Sequence, residues 1–189
     1  MERIILASQS PRRKQLLEWA EIPFDVIVKE TDELYPSDLS AEEVPVYIAR
    51  NKVLAVKHEL SNDRIIVAAD TVVVLNSVII GKPKSLTEAI DTLLSLSGKK
   101  HLVITGVVIS FDEKEIAFSD TTEVHFHNLT REQITFYVNK YRPFDKAGAY
   151  AIQEWIGVVG IKAVFGDFYN VMGLPVSRVV QALGTINNP

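Results

Sequence analysis

Ile4-Ile5-Leu6-Ala7-Ser8-Gln9-Ser10-Pro11-Arg12-Arg13-Lys14 is the stretch from which the architecture is read. The apolar run Ile4–Ala7 reads as a buried strand. Ser8, Gln9 and Ser10 make a short polar loop. Ser10 is a good helix N-cap, and Pro11 suits the first helical position, where its missing N–H costs nothing. The spacing therefore predicts strand, loop and helix in immediate succession. The helix start carries Arg12, Arg13 and Lys14. Cations in a first turn oppose the helix dipole. An anion held there, by these side chains and by the free N–H groups of the turn, would resolve that conflict. An ordinary strand–helix junction with solvated basic residues is the competing reading.

Working outward, the bulk properties narrow the classes. A chain of 189 residues with 47% hydrophobic content has room for a sizeable core, as one domain or two small lobes. A net charge of −4 and a pI near 5.6 argue against a protein that coats nucleic acid. A basic cluster in an acidic chain points instead to a small anionic ligand. The absence of cysteine excludes a disulfide framework and thiol chemistry. No apolar run reaches membrane-spanning length, and the start Met1-Glu2-Arg3 with a four-residue apolar run is short for a signal peptide. The expectation is a cytoplasmic protein with no membrane or nucleic-acid partner.

A first helix is expected from Pro11 to about Ala20, then a strand over Phe24–Val28 and an acidic loop, Lys29-Glu30-Thr31-Asp32-Glu33. Ser40 and Glu43 suggest a capping box for a helix from Ala41 to about Leu60, with Pro45 hinting at a later start. Lys52 falls on or beside the inward stripe of that helix, an unusual place for a lysine. Ile65–Ala69 reads as a second buried strand ending at Asp70-Thr71. Val72–Leu75, Asn76-Ser77 and Val78–Ile80 read as a hairpin. Ser85 and Glu88 suggest a capped helix running to Ser97, with Gly98 as its stop. Leu102–Ser110 and Glu115–His127 read as strands, and Thr130 and Gln133 cap a helix through Val138. A strand over Val158–Phe165 and a final helix over Val176–Leu183 complete the chain. This order of elements implies an α/β or α+β sheet with helices on its faces.

Several residues carry possible chemistry. Asp70 follows five apolar residues, and ligands of open α/β sheets bind beyond strand ends. A carboxylate there suits Mg²⁺ or general-base work, or merely caps a turn. Lys82 could reach a phosphate from the loop after the hairpin, or stand exposed. Gly81-Lys82-Pro83-Lys84-Ser85 is no P-loop, because the upstream Gly is missing and Pro83 intervenes. Glu33 belongs to an acidic run that reads as solvated, and Asp145-Lys146 reads equally as surface. The four histidines lack metal-ligand spacing. Cations with two carboxylates fit a polyphosphate and a divalent metal, a chemistry that needs neutralised charge, positioning and a base for water.

At this point the motifs acquire a family likeness. Ala7-Ser8-Gln9-Ser10-Pro11-Arg12-Arg13, Ala69-Asp70-Thr71, Gly81-Lys82-Pro83, Leu96-Ser97-Gly98, Asp145-Lys146-Ala147-Gly148-Ala149-Tyr150, Ile152-Gln153 and Val171-Met172-Gly173-Leu174-Pro175 resemble, in order, the Maf family of nucleoside triphosphate pyrophosphatases. The resemblance spans nearly the whole chain and implies one domain over residues 1–189. It implies a mixed α/β fold with an elongated central sheet flanked by helices, two lobes and a cleft, similar to inosine triphosphate pyrophosphatases. It implies hydrolysis of a nucleoside triphosphate to monophosphate and pyrophosphate with a divalent metal, Mg²⁺ or Mn²⁺, by a protein that tends to form homodimers. Carried across, the proton acceptor falls on Asp70. Substrate phosphate contacts fall on Ser8, Arg13, Lys52 and Lys82, and metal contacts on Glu33 and Asp70. Base preference falls on Arg12, Thr71 and Gln153, whose identities resemble the branch that prefers dTTP and UTP. The chain departs from the family pattern at Ala68, Ala151 and Glu154, where Gly is usual or frequent. A non-catalytic regulator of septum formation is the alternative from another functional class.

Overall fold

The computed structural model describes residues 3–58 and 64–186. In chain order the elements are β1 (Ile4–Leu6), α1 (Pro11–Trp19), β2 (Phe24–Val26), α2 (Glu43–Lys57), β3 (Ile66–Leu75), β4 (Val78–Ile80), α3 (Leu86–Leu96), β5 (Lys100–Phe111), β6 (Lys114–Phe126), α4 (Arg131–Tyr141), α5 (Trp155–Gly160), β7 (Ile161–Phe165), α6 (Phe168–Met172) and α7 (Val176–Ile186). A short 3₁₀ turn, Ala147–Ala149, precedes α5. The seven strands follow the order β2-β1-β3-β5-β6-β7, with β4 joined to β3 off this path. The sheet is mixed. β1 runs parallel to β2 and β3, while β3–β4 and β6–β7 are antiparallel. This is the mixed α/β fold that the sequence implies.

The chain divides into two compact units. The first holds Met1–Asp70, Thr105–Asp120 and Gly173–Pro189, and the second holds Thr71–Ile104 and Thr121–Met172. The core of the first unit packs α2 against the sheet. Ala49, Val53 and Val56 of the helix meet Ile5, Ile66, Ala68 and Val108 of three strands. These helical positions recur at three and four residues, so one stripe faces inward. Gly106 permits the approach, because a Cβ there would lie 2.2 Å from the Val46 backbone nitrogen.

In the second unit α3 packs on α4 and on the 3₁₀ turn. Ile134, Tyr137 and Val138 are the buried face of α4. Its N-terminus carries a complete capping box, Thr130 with Gln133. The β3–β4 hairpin turns through Asn76 and Ser77, at φ 50° and 65°. Positive φ at both central residues is what a type I′ two-residue hairpin turn needs.

Several boundaries differ from the sequence expectation. α2 begins at Glu43, although Ser40 and Glu43 exchange both capping bonds. Its expected end near Leu60 lies outside the described residues. At α3 the Ser85 hydroxyl accepts from the Glu88 N–H, but the Glu88 carboxylate takes the Lys84 N–H rather than completing a box. β2 stops at Val26, two residues early. The expected strand Val158–Phe165 is helical over its first three residues and extended only from Ile161. Finally, β3 does not end at Asp70 but runs through it to Leu75.

Candidate active site

In the first unit the site residues gather around the loop after β1. Ser10 caps α1, its hydroxyl accepting from the Arg13 N–H, with Pro11 in the first turn. The Ser8 hydroxyl accepts from the Ser10 N–H at 3.3 Å and from the Arg13 guanidinium at 3.2 Å. Arg13 is buried, and its Nε donates to the Gly173 carbonyl at 2.7 Å. Burial pulls its proton affinity down, the Asp70 charge pushes it up, Arg12 lowers it and Glu33 raises it. A guanidinium stays charged in a protein. The loop thus holds a fixed, desolvated cation in the field of two carboxylates, with Arg12 half-buried beside it on the same turn.

Asp70 is buried, and its position follows from register rather than from a strand end. β1 pairs with β3 at Ile5↔Ile66 and Leu6↔Val67, and Ala7 donates to the Val67 carbonyl. Asp70 therefore lies three residues beyond the last paired residue, past the carboxyl end of the parallel neighbour. That edge is where open α/β sheets place their ligands. Lys52, from the inward stripe of α2, donates to Asp70 Oδ1 at 2.7 Å. Glu33 approaches the same ammonium at 3.6 Å, its side chain half exposed. The acidic loop is thus not simply solvated: one of its carboxylates turns to the lysine.

Two oxygens converging on one Nζ mark a place where positive charge is favoured. Hard oxygen donors also suit Mg²⁺, which takes one or two carboxylates and completes its shell with water and phosphate oxygens. No group of three or more His, Cys, Asp or Glu able to hold a metal occurs among the described residues. A divalent cation would then be held by Glu33 and Asp70 with the help of substrate oxygens.

The second unit contains Thr71, Lys82 and Gln153. Thr71 follows Asp70 directly along β3 and is half-buried. Lys82 is exposed, in the loop after β4. That loop is anchored on both sides of the lysine: Gly81 accepts from the Gly148 N–H at 3.3 Å, and Pro83 is buried. Gln153 is exposed on a turn between buried Ile152 and half-buried Glu154.

Three side chains that the sequence left without a role surround this turn. Tyr137 hydrogen-bonds the Glu154 carboxylate and accepts from the Ala151 N–H at 3.2 Å. Buried Lys146 lies 3.5 Å from Glu154 and 2.8 Å from Asp145. The inward spacing of Ile134, Tyr137 and Val138 on α4 was the available signal, since a buried tyrosine hydroxyl needs a polar partner. The Arg13–Gly173 bond had no such signal, its residues being 160 positions apart.

Comparison with known proteins identifies the family of the chain. The chain is 52% identical over 186 residues to a protein of Cytophaga hutchinsonii named dTTP/UTP pyrophosphatase, covering 98% of this chain and 85% of that one. A protein of Parabacteroides distasonis with the same name is 46% identical, over 96% of this chain and 94% of its own. Among solved structures, the Ham1 protein of Staphylococcus aureus is similar at 19% identity and a TM-score of 0.44, covering 66% of this chain and 72% of that chain. Residues 3–186 match the family model described as Maf-like protein, so the chain belongs to the Maf family.

Proposed function

We propose that the protein hydrolyses nucleoside triphosphates, dTTP and UTP in preference, to the monophosphate and pyrophosphate. The observation that carries this reading is the Lys52–Asp70 pair beside the buried Arg13, with Glu33 turned toward the same lysine. The names of the relatives support the substrate class. Arg13, Lys52 and Lys82 neutralise the triphosphate, and Ser8 and the first-turn N–H groups of α1 donate to its oxygens. Lys52 holds Asp70 by one oxygen. The other oxygen takes the proton of the water that breaks the link between the nucleotide monophosphate and pyrophosphate. Glu33 and Asp70 would hold a Mg²⁺ or Mn²⁺ ion, which would supply charge neutralisation at the phosphoryl oxygens.

Arg12, Thr71 and Gln153 select the base. Thymine and uracil offer carbonyl acceptors beside an N3–H donor. The Gln153 amide both donates and accepts, and Arg12 only donates, so the two match that edge. Cytosine presents the reverse pattern, an amino donor beside a bare N3. Residues 1–189 act as one functional domain in this reading, a view supported by the span of the family match. A homodimer in the cytoplasm belongs to the same reading. Among the described residues no helix is long and apolar enough to cross a membrane.

The test is product analysis with dTTP and Mg²⁺. Thymidine monophosphate and pyrophosphate in equal amounts are expected. Thymidine diphosphate with orthophosphate, or no turnover of any triphosphate, would overturn the assignment.

A further inference from the structure

Gln153 is exposed on its turn, yet a side chain that reads a base must be held still. A contact that is loose by an ångström loses much of its effect. The backbone around Gln153 is tied at both flanks. On one side the Ala151 N–H donates to the Tyr137 hydroxyl at 3.2 Å. On the other, the Glu154 carboxylate hydrogen-bonds the same hydroxyl and faces the buried Lys146 ammonium at 3.5 Å. Tyr137 therefore closes a ring: its one proton goes to Glu154, and its oxygen accepts from Ala151. The turn also closes on itself, Glu154 donating to the Ala151 carbonyl at 3.1 Å and Gly157 donating to the Glu154 carbonyl at 2.9 Å. Gly157 is needed for that closure, because a Cβ there would lie 1.7 Å from the Ile152 carbonyl oxygen.

Tyr137 also stacks on Tyr141 with ring centroids 5.0 Å apart, a contact that restrains its ring. A carboxylate at 154 next to a base-reading amide would disturb readout if it faced the ligand. Its oxygens are instead spent on Tyr137 and Lys146.

We propose that Tyr137, Glu154 and Lys146 are positioning residues for base selection, fixing the turn that presents Gln153 to a pyrimidine. This rests on the reading of Gln153 given under Proposed function. The charge of Glu154 is what ties Lys146 to the turn, and the hydroxyl of Tyr137 is what ties Ala151 to Glu154. Removing either releases one flank while leaving the phosphate-binding residues of the first unit untouched.

The experiment compares wild type, Tyr137→Phe and Glu154→Gln. Two readouts are taken: the ratio of kcat/KM for dTTP over GTP, and the inhibition constant of inorganic tripolyphosphate, which has no base. Both variants are expected to lose about tenfold or more of the dTTP/GTP ratio, on the scale of a misplaced contact. Tripolyphosphate inhibition is expected to stay within about twofold of wild type, its charge contacts being elsewhere. A ratio unchanged in both variants, with a selective wild type, overturns the positioning role alone. Parallel loss of dTTP turnover and tripolyphosphate inhibition also overturns it, since the ring would then be a structural support. A wild type that handles dTTP and GTP equally removes the base-reading role of Gln153 on which the inference stands.

Discussion

The two units carry two kinds of polar cluster, and they differ in what their charges face. In the first unit Arg13, Lys52, Glu33 and Asp70 form a network of full charges, with a buried guanidinium and a 2.7 Å lysine–carboxylate bond at its centre. In the second, Lys146 and Glu154 are also close, but Glu154 is bonded as well to the Tyr137 hydroxyl, which accepts from the Ala151 backbone N–H, and the turn so tied carries the neutral Gln153. Charges arranged in the first way suit a ligand of high charge and act on every nucleotide alike. A charge pair used in the second way is consumed in holding a turn, and what remains for the ligand is hydrogen-bond geometry. Under the proposed function, the first arrangement would govern rate and phosphate affinity, and the second would govern choice.

The most severe way to break this division is Asp70→Asn. The amide keeps the shape but cannot take a proton, so kcat is expected to fall about 10²-fold or more, the usual scale for a general base. All nucleotides should suffer equally while binding persists in part. Near-normal turnover would remove Asp70 from the chemistry. Nucleotide binding by the wild type with no turnover is the result that would favour the non-catalytic regulator.

Lys52→Ala comes next. It leaves Asp70 without its 2.7 Å partner and removes one phosphate cation. A charge-assisted hydrogen bond is worth about 1.5–3 kcal/mol, so roughly ten- to hundredfold in kcat/KM is expected, the same for pyrimidines and purines. A loss confined to pyrimidines, by steady-state kinetics, would erase the division of labour. Lys82→Ala removes an exposed cation that water screens, and about tenfold or less is expected, seen as weaker nucleotide affinity with an unchanged circular dichroism spectrum. Wild-type kinetics would reduce Lys82 to a loop lysine.

The smallest effect on turnover, and one confined to stability, concerns His101. Burial, with a lesser contribution from the His125 charge, holds its pKa down to about 4. Its ring stands 2.7 Å from the Tyr150 hydroxyl, and its Nδ1 has no hydrogen-bond partner. The folded state thus resists a proton that the unfolded chain accepts near pH 6.5. The neutral ring's contribution to stability is present above that pH and is lost as pH falls toward 4, up to about 3 kcal/mol. His101→Leu should flatten this part of the curve in denaturant titrations at pH 4 to 7. An identical slope in both proteins would assign the acid sensitivity to the carboxylates instead.

Much of the fold was legible because local chemistry and final structure agree. Ser10-Pro11 starts a helix, Thr130 with Gln133 caps one, and Asn76-Ser77 turns a hairpin. The junction after Gln153 was not, because Val158–Phe165 is a run of β-favouring residues. Its first part is made helical by bonds from Gly157 and Val158 back to the Glu154 carbonyl. A short apolar run cannot be assigned by periodicity alone. Asp70 was expected at a strand end because five apolar residues precede it, whereas β3 runs through it to Leu75 and register with β1 is what sets its position. Lys52 was legible as an inward lysine. The Tyr137–Glu154–Lys146 ring was not, since its members lie on three separate local segments with no shared periodicity and Asp145-Lys146 reads as surface.

The account stands most directly on the kcat/KM values for dTTP, UTP, dCTP, CTP and GTP with wild type and with Gln153→Glu. Sites that read hydrogen bonds can reject a mismatched analogue by several powers of ten. Wild type is predicted to favour dTTP and UTP over the other three, and Gln153→Glu, lacking an amide donor and carrying a charge, is predicted to erode that preference. Equal values for dTTP and GTP on the wild type would contradict the pyrimidine reading and leave a general triphosphate pyrophosphatase.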